Sequence, residues 1–224
     1  MPGVGFGFVF WVKKRQNKLT RRRLKQSGGQ EFMEIEFEAT FLDINKEDVR
    51  KRLKEAGAKL IKPEFMQRRY TFNLPKGFSS PTCWLRVRDE QDKITMTYKE
   101  VKGKSIHDQK EITLQINDLE TGREFLEKIG CRSKSYQETK RELWKLDGVE
   151  ICIDTWPFLE PFVEVEGKSE EKVKEISQKL GFDYSKAFFA SATEFYKIKY
   201  GLSRKTINDK VPRIAFDMEN PFLK

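Results

Sequence analysis

The chain has 224 residues, 38% hydrophobic and 12% aromatic, enough for one large domain or two small ones around a sizeable core. Charged residues make up 35%, against roughly 25% in an ordinary globular domain, so the excess needs a place besides the outer surface. The formal charge of +9 is local: residues 1–32 hold eight bases and one acid, and the rest holds 36 bases against 34 acids, so a nucleic-acid partner is excluded except through that arm.

Residues 1–32 open with the apolar run GVGFGFVFWV and continue with a basic cluster from Lys13 to Lys25. A run of about ten residues is half of what a membrane span needs. Its positive charges follow the apolar run instead of preceding it, which argues against a signal peptide. The expectation is a disordered basic extension, with Met33 as the natural start. The competing reading is an arm that touches RNA or anionic lipid. Cys83, Cys131 and Cys152 show no paired or metal-type spacing, and His107 is the sole histidine. A disulfide framework and a zinc site are therefore not expected, and a reducing cytosol is the simplest compartment.

From Met33 the segment MEIEFEATF alternates: Glu34, Glu36 and Glu38 fall on one face of a strand, with Ile35, Phe37, Ala39 and Phe41 on the other. A strand, polar turn, amphipathic helix and glycine follow one another three times, in FEATFLDINKEDVRKRLKEAGA, ITLQINDLETGREFLEKIGC and FVEVEGKSEEKVKEISQKLGF. Asn45, Asp118 and Ser169 are the expected N-caps, and Gly57, Gly130 and Gly181 the expected stops. Further strands are expected in QRRYTFN, CWLRVRDE, KITMTYKE, KEITLQI, KRELWKL, VEICIDT and FVEVEG, with turns at DEQDK and LDGVE. That makes eight strands, an α+β class, with an antiparallel sheet able to close into a barrel and helices outside.

The polar faces carry the chemistry. Arg86 and Arg88 share a face, as do Thr95, Thr97 and Lys99; Glu111, Thr113 and Gln115; Glu150, Cys152 and Asp154; and Glu164 and Glu166. Arg69, Thr71 and Asn73 share one if Tyr70 and Phe72 face the core. Each face taken alone reads as a solvated sheet surface. Taken together, with helices covering the apolar sides, a curled sheet gathers acids from some strands opposite bases from others. Clustered carboxylates call for a hard divalent cation, and clustered arginines for a polyanion.

EFEATF, WLRVRDE, ITMTYKE, YQETKRELWKLDGVEICID and PFVEVEG, in that order, resemble the motifs of the CYTH family of triphosphate tunnel enzymes over about residues 33–200. The resemblance implies an eight-stranded antiparallel β-tunnel and a triphosphate substrate (a nucleotide, thiamine triphosphate or tripolyphosphate) bound with Mg²⁺ or Mn²⁺. Glu36, Glu38, Glu111, Asp154, Glu164 and Glu166 are the implied metal-side acids. Arg69, Arg86, Arg88, Lys99, Lys110 and Arg141 are the expected phosphate-side bases, and Lys99 and Thr40 the catalytic positions. Thr40 stands where the signature has lysine, Thr113 where a second mid-chain glutamate is common, and Gln109 where a base is common, with Lys110 beside it. The implied activity is class IV adenylate cyclase, ATP to cAMP and pyrophosphate. Triphosphatase, or a polyphosphate or organophosphate binder without turnover, is the alternative. His107 is expected in solvent, Trp84, Trp144 and Trp156 in the core or at a rim, and DTWPFLEPF as a lid on one mouth. The segment FDYSKAFFASATEFYKIKYGLS is expected as helix capping the barrel, and 201–224 as an extended appendage docking on the domain or on a second copy in a homodimer.

Overall fold

The computed structural model describes residues 33–78 and 80–223; the expected basic extension lies outside the described residues. The strands in chain order are β1 (Glu34–Ile35), β2 (Phe37–Phe41), β3 (Lys59–Asn73), β4 (Cys83–Asp89), β5 (Ile94–Val101), β6 (Gln109–Ile116), β7 (Arg132–Leu146), β8 (Val149–Thr155), β9 (Phe162–Gly167) and β10 (Arg213–Ile214). The helices are α1 (Lys46–Glu55), α2 (Leu119–Lys128), α3 (Glu170–Lys179), α4 (Ala192–Tyr200) and α5 (Arg204–Lys210).

The sheet runs β1-β6-β5-β4-β3-β7-β8-β9-β2, with β10 added beside β7. All pairs on this path are antiparallel. Its two ends are one stretch of chain, because β1 and β2 are separated only by Glu36. Nine strands therefore stand on the path where eight are expected. The first expected strand changes neighbours at Glu36: Ile35 lies opposite Lys110 of β6, while Phe37 lies opposite Gly167 of β9. Glu36 N–H still reaches the Gln109 carbonyl at 3.0 Å. This junction brings the sheet to a nearly closed barrel. Beyond it the free edge of β2 is taken up by Phe188, which exchanges backbone hydrogen bonds of 3.0 and 2.9 Å with Thr40.

The helices form where their ends are satisfied. Asn45, Asp118 and Ser169 accept backbone N–H bonds from the first turns of α1, α2 and α3. Gly57, Gly130 and Gly181 follow those helices with φ of +79°, +91° and +76°. Val49 and Leu53 of α1, Val173 and Ile176 of α3 and Leu180 at its C-cap pack on Ala39, Ile151, Val163 and Val165, the outward residues of β2, β8 and β9. Leu126 of α2 packs on Phe72, Val87 and Cys131. The apolar cores thus lie between helices and the outside of the barrel, which leaves the interior to polar side chains. Helical cover is incomplete on β6, where Ile112 and Leu114 remain exposed because α2 sits over β3, β4 and β7.

Residues 201–223 include the short helix α5 and join Trp156, Phe162, Phe195 and Tyr196 in a third cluster through Ile207, Val211, Ile214 and Phe222. The three cysteines are free and buried. Among the described residues no helix is long and apolar enough to cross a membrane.

Candidate metal and polyphosphate site

A cavity of about 330 Å³ occupies the barrel interior. Period-two alternation puts the expected polar faces on its wall: Arg69 and Thr71 from β3, Arg86 and Arg88 from β4, Thr95, Thr97 and Lys99 from β5, and Glu111 and Thr113 from β6. Arg141 of β7, Cys152 of β8, Glu164 and Glu166 of β9, and Glu36 and Glu38 at the β1–β2 junction complete it. Charge is sorted by strand. Most bases come from the contiguous run β5, β4, β3 and β7; the acids come from β9, the β1–β2 junction, Glu111 on β6 and Glu150 on β8, with Glu90 just past β4 as the exception on the basic side.

Glu36, Glu38 and Glu166 each offer an oxygen such that all three lie within 4.8 Å of one another. Glu38 and Glu166 are brought together by register, directly opposite each other on β2 and β9. Burial, then repulsion from Glu164 and Glu36, holds the Glu38 carboxyl well above its ordinary range. Burial and Glu36 push Glu166 up to about 7. Burial also works against ionised Glu36, but Lys99, Arg86 and Arg88 outweigh it and keep its pKa below the ordinary value. An all-oxygen donor set whose members repel one another fits a hard divalent cation, whose charge would relieve that repulsion.

Lys99 sits beside the trio, its Nζ 2.5 Å from Glu36 and 3.5 Å from Glu111. Arg141 forks onto Asp154 at 2.8 and 2.5 Å and also holds Glu164. Asp154, Glu164 and Glu111 are therefore cation partners in this structure, outside the three-carboxylate cluster. Arg88 pairs with Glu90. Arg86 and Arg69 make no ion pair among the described residues, and the Nε atoms of Arg69, Arg86 and Arg88 lack hydrogen-bond partners. Burial and Arg88 lower the Arg86 guanidinium to about 10. Such crowding of buried guanidinium groups is stable only with an anion near at hand.

Three expected residues are not on the wall: Lys110, Thr40 and Asp154, the last 1% exposed behind the Arg141 guanidinium that it holds. Lys110 is not, since Gln109 and Glu111 face inward and alternation turns the residue between them away. Thr40 is 1% exposed and off the cavity, at the point where β2 meets Phe188. Glu90, 7% exposed and on the wall, was open to the same parity rule that gives Arg86 and Arg88. Trp156, Tyr196 and the chain before and into α4 (190–193) also line the cavity. They follow the strands, where no periodicity marks them. Trp84 lines the cavity, and Trp144 is core with its Nε1–H on Glu142 at 2.6 Å. His107 is on the surface, 2.7 Å from Glu170.

The family model for the CYTH domain matches residues 33–196. A Methanocaldococcus jannaschii protein that carries the provisional name adenylate cyclase is 30% identical over 149 residues, 66% of this chain and 82% of that one. Among solved structures, a Pyrococcus horikoshii protein superposes with a TM-score of 0.60 at 22% identity, over 71% of this chain and 98% of its own. A Hippeastrum protein, named as a candidate adenylyl cyclase and described as having a dominant triphosphatase activity, gives 0.52 at 16% identity over 75% and 97%. These two likenesses concern the fold alone. The barrel, the charge-sorted cavity and the match over residues 33–196 agree: the chain belongs to the CYTH domain family.

Proposed function

We propose that the protein is a divalent-metal-dependent enzyme that breaks a phosphoanhydride bond of a triphosphate. The observation that carries this reading is the facing arrangement of the Glu36–Glu38–Glu166 trio and the arginines of β3, β4 and β7 in one cavity. Mg²⁺ or Mn²⁺ held by the trio would supply charge neutralisation and orientation at the transferring phosphoryl group. Arg69, Arg86, Arg88 and Arg141 bind phosphate oxygens, and their forks fix the chain in register. Lys99, drawn between Glu36 and Glu111, places its ammonium beside the metal side of the substrate and supplies the charge that Thr40 lacks. The enzyme reading stands over the binder reading for that reason. The three unpaired cysteines suit a reducing compartment such as the cytosol.

The favoured reaction is cyclisation of ATP, as the name of the relative at 30% identity suggests. The ribose 3′-oxygen attacks the α-phosphorus, the α–β anhydride bond breaks, pyrophosphate leaves, and the hydroxyl proton passes to a basic group of the site. Hydrolysis, in which water attacks the terminal phosphorus and orthophosphate leaves, uses the same residues. Incubation with ATP or tripolyphosphate and Mn²⁺, followed by ³¹P NMR and nucleotide chromatography, separates the outcomes. cAMP with pyrophosphate supports cyclisation; ADP with orthophosphate replaces it by hydrolysis; no product from these two substrates or from thiamine triphosphate refutes the enzyme reading.

A further inference from the structure

The cavity end walled by the C-terminal segment holds donors that find no acceptor among the described residues. Arg69 is 5% exposed and has no ion-pair partner among the described residues. One of its terminal nitrogens donates to Gln67 at 2.9 Å and to Thr139 at 2.5 Å, and its Nε is unbonded. Trp156 lies against this guanidinium, 4.7 Å from ring centroid to Cζ, is 9% exposed, and has an indole N–H without an acceptor among the described residues.

Helix α4 begins in the same cavity. Its first residues line the wall, and Tyr196 in its second turn meets Trp156 with ring centroids 6.4 Å apart. Ser191 makes no side-chain cap; Glu194 N–H returns to the Ser191 carbonyl at 2.9 Å, and the N–H groups of Ala192 and Thr193 find no partner among the described residues. Glu194 pairs with Lys197 and is not on the wall. An uncapped helix start, an indole N–H and an uncompensated guanidinium all call for an anionic acceptor.

We propose that Arg69, the Trp156 indole and the first turn of α4 form a subsite for the terminal phosphoryl group, built from elements other than those of the metal trio, which selects three-phosphate chains over shorter ones. It rests on the triphosphate reading above. The test uses calorimetric titration of the full chain with Mn²⁺ present, with sodium tripolyphosphate and pyrophosphate as probes. Trp156→Phe removes the N–H and keeps an aromatic ring. Ala192→Pro removes a helix-start N–H at a position where proline is well tolerated, after a residue already extended at ψ 157°. Each variant weakens tripolyphosphate about tenfold and leaves pyrophosphate within about twofold, the effect of losing one hydrogen bond to a charged group. Equal weakening of both anions, or no change in either, overturns the subsite while leaving the triphosphate reading in place. A wild-type protein that binds neither anion overturns both. Thermal melts verify folding, and Ala192→Pro alone decides the matter if Trp156→Phe does not fold.

Discussion

Glu166 makes the metal-free protein less stable than it needs to be. Its carboxyl is shifted from an ordinary 4.5 to about 7 by burial and by Glu36. A carboxylate with a raised folded pKa lowers stability at high pH, and the penalty vanishes as pH falls through the folded and then the unfolded value. A shift of that size is worth about 3 kcal/mol at pH 8 and less than about 1 kcal/mol at pH 5. Glu166→Gln keeps the shape and removes the charge. In chelator-treated protein it should raise the melting temperature by about 8 °C at pH 8, at about 2–4 °C per kcal/mol for a chain of this size, and by far less at pH 5. Added Mn²⁺ should stabilise the wild type more than the variant, which keeps two of the three carboxylates. Circular dichroism melts at the two pH values, with and without metal, make the comparison. A variant less stable than wild type at pH 8 without metal would refute the claim that the trio is electrostatically strained.

Arg141→Met should destabilise by about 3–5 kcal/mol in denaturant unfolding, because Asp154, 1% exposed, and Glu164 lose their shared cation; adding Asp154→Asn should recover part of the loss. Thr40→Lys should lower stability by at least about 2 kcal/mol and not raise turnover, since the position is buried beside Phe188 and off the cavity; a melt and a product assay check both halves. Glu38→Gln should reduce Mn²⁺ affinity at least about tenfold by calorimetry, as expected for loss of a carboxylate ligand from a three-carboxylate set.

The interior was legible where strands alternate. Glu164 and Glu166, Arg86 and Arg88, and Lys99 with Thr97 all line the cavity as their parity requires, since a residue two along a strand returns to the same face. Closure was less legible. The alternation of Glu34, Glu36 and Glu38 continues through the point where the chain leaves β6 for β9, so pattern alone could not show the break at Glu36. The strand expected at QRRYTFN begins eight residues earlier, at Lys59. Register shifts between Leu60 and Lys62 and between Lys62 and Phe65 carry it past Pro63 and blur its period. Residues 204–210 were expected extended and instead form α5, started by Ser203, whose hydroxyl accepts the Thr206 N–H at 3.0 Å. Trp156 and the start of α4 reach the cavity by tertiary packing, which leaves no trace in local spacing.

The central claim is that one cavity holds a metal on its acidic wall and a polyphosphate on its basic wall. A crystal soaked with Mn²⁺ and a non-hydrolysable triphosphate, measured at the manganese absorption edge, tests it most directly. The account predicts an anomalous peak within coordination distance of Glu36, Glu38 and Glu166, with phosphate oxygens on Arg86 and Arg69. A manganese peak on the outer surface, or a triphosphate bound outside the barrel, would contradict it.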